Sequence, residues 1–139
     1  MFNYLFPNGE AHLKNFSPID AAFGDYVLSP AYELICTRLH VEDSYFALKG
    51  ELSSADDETE GFQANGFYAS DDFYEFGLRI GLQEKRMAGI LHVFRQDRTA
   101  VRKLLDHSFL REDLKETYRK YYLERLEMFN FSMAGRNRA

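Results

Sequence analysis

The stretch whose reading decides the fold is Asn8-Gly9-Glu10-Ala11-His12-Leu13-Lys14-Asn15-Phe16-Ser17. It follows a short apolar segment, Met1-Phe2-Asn3-Tyr4-Leu5-Phe6, and Pro7-Asn8-Gly9 marks the junction as a turn. Glu10 to Asn15 read as a loop, and Asn15 to Asp20 as a short extended piece. Within the loop a carboxylate stands five positions before an asparagine, the D-x-x-x-x-N spacing of a phosphoryl-transfer loop. The chemistry explains that spacing. The carboxylate must reach the hydroxyl that attacks the γ-phosphate, while the asparagine turns back to hold a magnesium ion at the phosphates. A carboxylate five positions before an asparagine also arises by chance in most proteins, so the context has to carry the rest.

Working outward, Gly24-Asp25 reads as a turn and Tyr26-Val27-Leu28 as a second short strand, so the two extended pieces form a small hairpin. Ser29-Pro30 punctuates the chain again. Ala31 to Arg38 fits a short helix and an extended apolar stretch equally well. From Ser70 the pattern turns helical. Ser70 is an N-cap candidate, Asp71 and Asp72 suit the first turn, Phe73, Phe76 and Ile80 share a face, and Gly81 is a stop. Met87, Ile90, Leu91 and Phe94 repeat the amphipathic helical period. Val101, Leu104 and Leu105 mark a shorter helix ending near His107. Arg111 to about Phe129 is the longest candidate, with Leu114, Tyr118, Tyr121, Tyr122 and Leu126 along one side. The expected fold class is mainly α: a helical bundle with a short β-hairpin next to the loop, as one domain over residues 1–139.

Composition narrows the functional classes. The chain has 139 residues, 45% of them hydrophobic and 28% charged, which is globular rather than disordered. A formal net charge of −5 argues against direct nucleic-acid binding, and only Arg136 to Arg138 lean basic, as a solvated tail. No apolar stretch approaches the ~20 residues that span a bilayer. A single cysteine, Cys36, excludes an internal disulfide and points to a reducing, cytoplasmic setting; its apolar neighbours suggest a buried, inert thiol. The acidic run Glu51 to Gly61 lacks the alternating ligands of a calcium loop and reads as a solvated surface loop.

The run from Asn8 to Ser17 resembles the signature of the HipA-type serine/threonine kinases, whose catalytic loop reads close to N-x-D-x-H-x-K-N-F-S. Leu28-Ser29-Pro30-Ala31-Tyr32-Glu33-Leu34 is similar to the family's next signature, L-[ST]-P-x-Y-D-L. Thr37 to Val41, Ser108 to Leu110 and the final helix also look like HipA relatives. The resemblance implies a protein-kinase-like C-terminal lobe. It puts Glu10 on the catalytic aspartate, Asn15 on the magnesium-binding asparagine and Glu33 on the second magnesium ligand. Lys14 would face the transferring phosphate or the loop's own carboxylate, and His12 would brace the loop beside the nucleotide. ATP and magnesium are the implied cofactors. Both acidic positions carry Glu where the family has Asp. One added methylene displaces a carboxylate by about an ångström, and misplacement on that scale can cost roughly a hundredfold in rate.

A glycine-rich phosphate loop and an upstream strand lysine are absent from these residues. The resemblance therefore implies an amino-terminal kinase lobe from a separate chain, or self-association. The apolar opening, Phe2 to Phe6, is expected to be exposed as part of that contact. Family members act as toxins held by an antitoxin protein, so an antitoxin is an implied partner. Two functions follow from the resemblance: phosphorylation of a protein with a supplied amino-terminal lobe, or a catalytically inactive pseudokinase that binds an antitoxin or partner kinase.

Overall fold

The computed structural model describes residues 1–47, 52 and 58–133. Most of the acidic run from Glu51, and the basic tail Arg136 to Arg138, lie outside the described residues. The order is α1 (Phe2–Leu5), β1 (Pro18–Asp20), β2 (Tyr26–Leu28), α2 (Glu60–Asn65), α3 (Ser70–Arg79), α4 (Glu84–Arg95), α5 (Thr99–Asp106) and α6 (Glu112–Asn130). This is the mainly helical arrangement with one hairpin that the periodicities predict. Short 3₁₀ turns at Leu13–Asn15, Ala22–Gly24 and Thr37–Leu39 shape the irregular first part.

The helices form because each offers one apolar stripe to a common core. Phe73 of α3, Met87 and Leu91 of α4, and Tyr122, Leu126 and Phe129 of α6 meet there. The face read for α3 needs correction. Phe73 is buried, but Phe76 is 37% and Ile80 59% exposed, and Gly77 takes the inward position instead. A side chain at Gly77 would overlap the Met87 sulfur, so the missing Cβ sets how closely α3 and α4 approach. On α5, Leu105 is buried and Leu104 is not.

Ser70 does not cap α3. It is the first helical residue, fully buried, and its hydroxyl accepts a hydrogen bond from Arg95 Nη2 at 2.9 Å. The start of α3 is satisfied instead by Asp72, whose carboxylate accepts from the Ala69 N–H at 2.5 Å and from the hydroxyl of Thr59. Thr59 in turn caps α2 by accepting from the Phe62 N–H at 3.0 Å. At the other end Gly81 takes φ +86° and its N–H reaches Leu78 O at 2.9 Å, the stop read from its position.

The apolar opening is not the exposed surface it was expected to be. α1 packs against α6, burying Tyr4 and Leu5, and the Phe6 ring stacks on Tyr122 at 5.2 Å. The Tyr4 hydroxyl donates to Tyr68 O at 2.6 Å, which satisfies the polar end of a ring that is otherwise in the core. Of these residues only Phe2, at 40%, keeps substantial exposure. The chain covers its own amino-terminal turn.

Candidate active site

Three short segments converge behind the hairpin. Antiparallel pairing of Ile19 with Val27 returns the chain from Asp20 to the level of the loop, and the Ser29 N–H to Ser17 O bond at 2.8 Å extends the ladder by one rung. The Ala31 to Arg38 stretch, open between helix and extended on sequence, is not helical up to the 3₁₀ turn at Thr37–Leu39. Glu33 has φ +53°, which no regular helix or strand accepts.

Asn8 is the junction. Its side chain is 2% exposed, and its Nδ2 donates to Glu33 O at 2.9 Å and to Asn3 Oδ1 at 3.3 Å. Its Oδ1 accepts the Glu10 N–H at 3.2 Å. One buried amide therefore ties the loop, α1 and the Glu33 turn together. Next to it the Gly9 N–H reaches Thr37 Oγ1 at 3.0 Å and Asp43 Oδ2 at 3.1 Å, and the Thr37 hydroxyl donates to the same carboxylate. A Cβ at Gly9 would overlap the Asp43 side chain, so this position has a steric reason to be glycine.

Beyond this anchor the loop closes on itself. Asn15 Nδ2 donates to Glu10 O at 3.1 Å. That leaves Asn15 Oδ1 without a hydrogen-bond donor among the described residues. The Glu10 carboxylate is exposed and lies 2.9 Å from His12 Nε2. Lys14 is exposed and has no ion-pair partner among the described residues, and in particular does not pair with Glu10. Its carbonyl accepts from the Tyr32 hydroxyl at 2.9 Å, and that hydroxyl also shares a 2.7 Å hydrogen bond with Ser17. Tyr32 thus fastens the second sequence run to the first.

Asn15 and Glu33 line one cleft of about 160 Å³, with Asn8, Phe16, Leu28 and Tyr32 among its walls. Glu10, His12 and Lys14 lie outside that lining. Asn15 Oδ1 and the Glu33 carboxylate are hard oxygen donors of the kind magnesium takes, one or two from protein with water and phosphate oxygens completing the shell. The donor set fits the ion. Among the described residues there is no cluster of three His, Cys, Asp or Glu. A larger cavity of about 590 Å³ between α1, α4, α5 and α6 has mainly apolar walls and holds none of these residues.

Residues 1–104 match the family described as the HipA-like C-terminal domain. The chain belongs to that family. A Haemophilus influenzae protein bearing the name "Putative kinase" is 28% identical to this HipA-like domain over 137 residues. The match covers 94% of this chain and 40% of that protein's length. The family match ends before α6, yet Tyr122, Leu126 and Phe129 of α6 complete the same core as α1, α3 and α4.

The residues that sequence reading missed in this HipA-like domain are the ones that hold the site. Asn8 stood inside the quoted run without a role, and Thr37 inside a run noted only for its likeness. Asp43 carried no signal, because a lone acid after a polar turn reads as solvated. Cys36 is buried as expected, and burial pushes its thiol pKa up, away from the reactive thiolate. Among the described residues no helix is long and apolar enough to cross a membrane.

Proposed function

We propose that this HipA-like domain is the catalytic-loop half of a serine/threonine kinase, working with an ATP-holding lobe supplied from outside these residues. The observation that carries the reading is that Asn15 and Glu33, from two separate sequence runs, line one cleft, where the buried Asn8 amide bonds the Glu33 carbonyl and the N–H of Glu10, the residue whose carbonyl accepts from Asn15. In this reading Asn15 and Glu33 hold magnesium. The ion supplies charge neutralisation at the β- and γ-phosphates when bound. Glu10 receives the proton of the attacking serine or threonine hydroxyl, with His12 fixing the carboxylate in place. Lys14, which has no carboxylate partner among the described residues, faces the transferring phosphate. The family resemblance extends the proposal to a cytoplasmic toxin restrained by an antitoxin protein.

A pseudokinase that binds a partner without transferring phosphate is the second reading. Two features favour it: both acidic positions are Glu, and the Glu10 carboxylate is engaged by His12. The two readings separate in one assay. The chain is combined with an amino-terminal lobe from a HipA-type relative, and γ-phosphate transfer from ATP with magnesium to a serine/threonine protein substrate is followed. Transfer that disappears in Glu10→Ala supports the kinase. Absence of transfer even in the Glu10→Asp, Glu33→Asp double variant leaves the pseudokinase.

A further inference from the structure

Arg125 of α6 is only 5% exposed and has no carboxylate partner among the described residues. Its guanidinium lies over the rings of Tyr45, at 4.1 Å, and Tyr4, at 5.0 Å. Ring faces offset only part of what it costs to take a guanidinium out of water. With only ring faces and the neutral Tyr4 phenol against it, and no counter-ion among the described residues, this buried cation is the group that an anionic ligand would complete.

A second guanidinium is close by. Arg38, at the 3₁₀ turn that follows the Glu33 run, lies over the Tyr121 ring at 5.3 Å. Arg38 and Arg125 line one small, partly open cavity of about 60 Å³, together with Tyr45, Tyr121, Glu124 and Met128. The cavity has the space of a few water molecules, enough for a tetrahedral oxyanion and too small for a nucleotide. Its one carboxylate, Glu124, is shared with Lys120 at 3.8 Å on the next turn of α6. In a chain of net charge −5, two arginines therefore line one cavity in which, among the described residues, the one acid also faces a lysine.

We propose that this pocket binds a phosphomonoester dianion between the Arg38 and Arg125 guanidiniums. Forked guanidiniums match phosphate oxygens in pairs, and two positive charges match a dianion better than a carboxylate. The proposal does not depend on the kinase reading, because the pocket shares no lining residue with the Asn15–Glu33 cleft.

The test uses the whole chain in EDTA, without magnesium or nucleotide, and follows the arginine Nε–Hε signals by NMR. Inorganic phosphate and O-phosphoserine are titrated separately, with acetate as the monoanion. Both phosphates are expected to shift the Arg38 and Arg125 signals. Arg38→Gln, a change at an exposed position, should weaken binding by about tenfold without moving the melting temperature, while Glu124→Gln should tighten it. Tighter binding of O-phosphoserine than of phosphate assigns a phosphorylated side chain as the source; equal binding assigns the free ion. The proposal is overturned if neither phosphate shifts these signals at millimolar concentration, or if acetate binds as well. It is equally overturned if Arg38→Gln has no effect, or if binding is lost in Asn15→Ala.

Discussion

The buried side-chain amide of Asn8 donates to the main-chain carbonyl of Glu33 at 2.9 Å, across 25 residues of sequence. This bond joins the loop that carries Glu10 and Asn15 to the turn that carries Glu33. It also holds Glu33 at φ +53°, a region that costs a non-glycine residue about 1–2 kcal/mol. The strain sits at the residue read as a metal ligand, and the Asn8 network is what maintains it.

Removing that amide should therefore loosen two segments at once. Asn8→Ala leaves the Glu33 carbonyl and the Glu10 N–H without partners. Loss of stability of about 1–3 kcal/mol is expected, read as a lower denaturation midpoint in urea. A midpoint unchanged within error would mean that the amide is not holding the turn.

Position 33 offers a sharper test, because two effects point the same way there. Aspartate tolerates positive φ better than glutamate does, its short side chain bonding locally to the backbone. Glu33→Asp should thus raise stability by a few tenths of a kcal/mol and also bring the carboxylate to the family's length. Both the urea midpoint and divalent-metal affinity are expected to rise. A gain in neither would detach the residue from both roles.

The helical part of the fold was legible because periodicity reports burial directly. Met87, Leu91, Tyr122 and Leu126 were read on the inward faces and lie there. Where the reading failed, the cause was a local competitor. Ser70 gave up its capping role because Arg95 needed its hydroxyl in the core and Asp72 was placed to accept the free N–H. Phe76 and Ile80 lost the inward position to a glycine, which no hydrophobicity pattern signals. At the candidate site, the two motif runs singled out Glu10, His12, Lys14, Asn15 and Glu33, of which Asn15 and Glu33 line one cleft. Their supports were not legible, since Asn8, Thr37 and Asp43 act through long-range bonds between polar residues that look like surface groups in sequence.

Since α6 completes the core, its far end should matter as much as the matched part of the chain. Phe129 is fully buried and lies 5.3 Å, centroid to centroid, from Phe73. Phe129→Ala should cost about 3–5 kcal/mol, enough to unfold a marginal domain. Thermal unfolding monitored by circular dichroism would show it, and a loss below about 1 kcal/mol would contradict this packing.

Alkaline pH probes the same region. Burial pushes the Tyr118 phenol up to about 12 from an ordinary value of 10.0, and raises Tyr4 and Tyr122 as well. A phenol whose folded pKa is raised holds its proton longer in the folded state. Its contribution is complete below about pH 10 and is lost as pH rises toward 12. Stability should fall across that window, and Tyr118→Phe should flatten the fall. An identical pH slope in the variant would show that Tyr118 ionises alike in both states.

The central claim is that Asn15 and Glu33 form one divalent-metal site. Manganese, taken in place of magnesium by the same oxygen ligands, reports its own location by broadening nearby NMR signals. The measurement is made on the labelled chain with an amino-terminal lobe and ATP present. Selective broadening of the Asn15 side-chain amide and the Glu33 backbone signal is expected, lost in the Asn15→Ala, Glu33→Ala double variant. Broadening confined to the acidic run from Glu51, with Asn15 and Glu33 untouched, would contradict it.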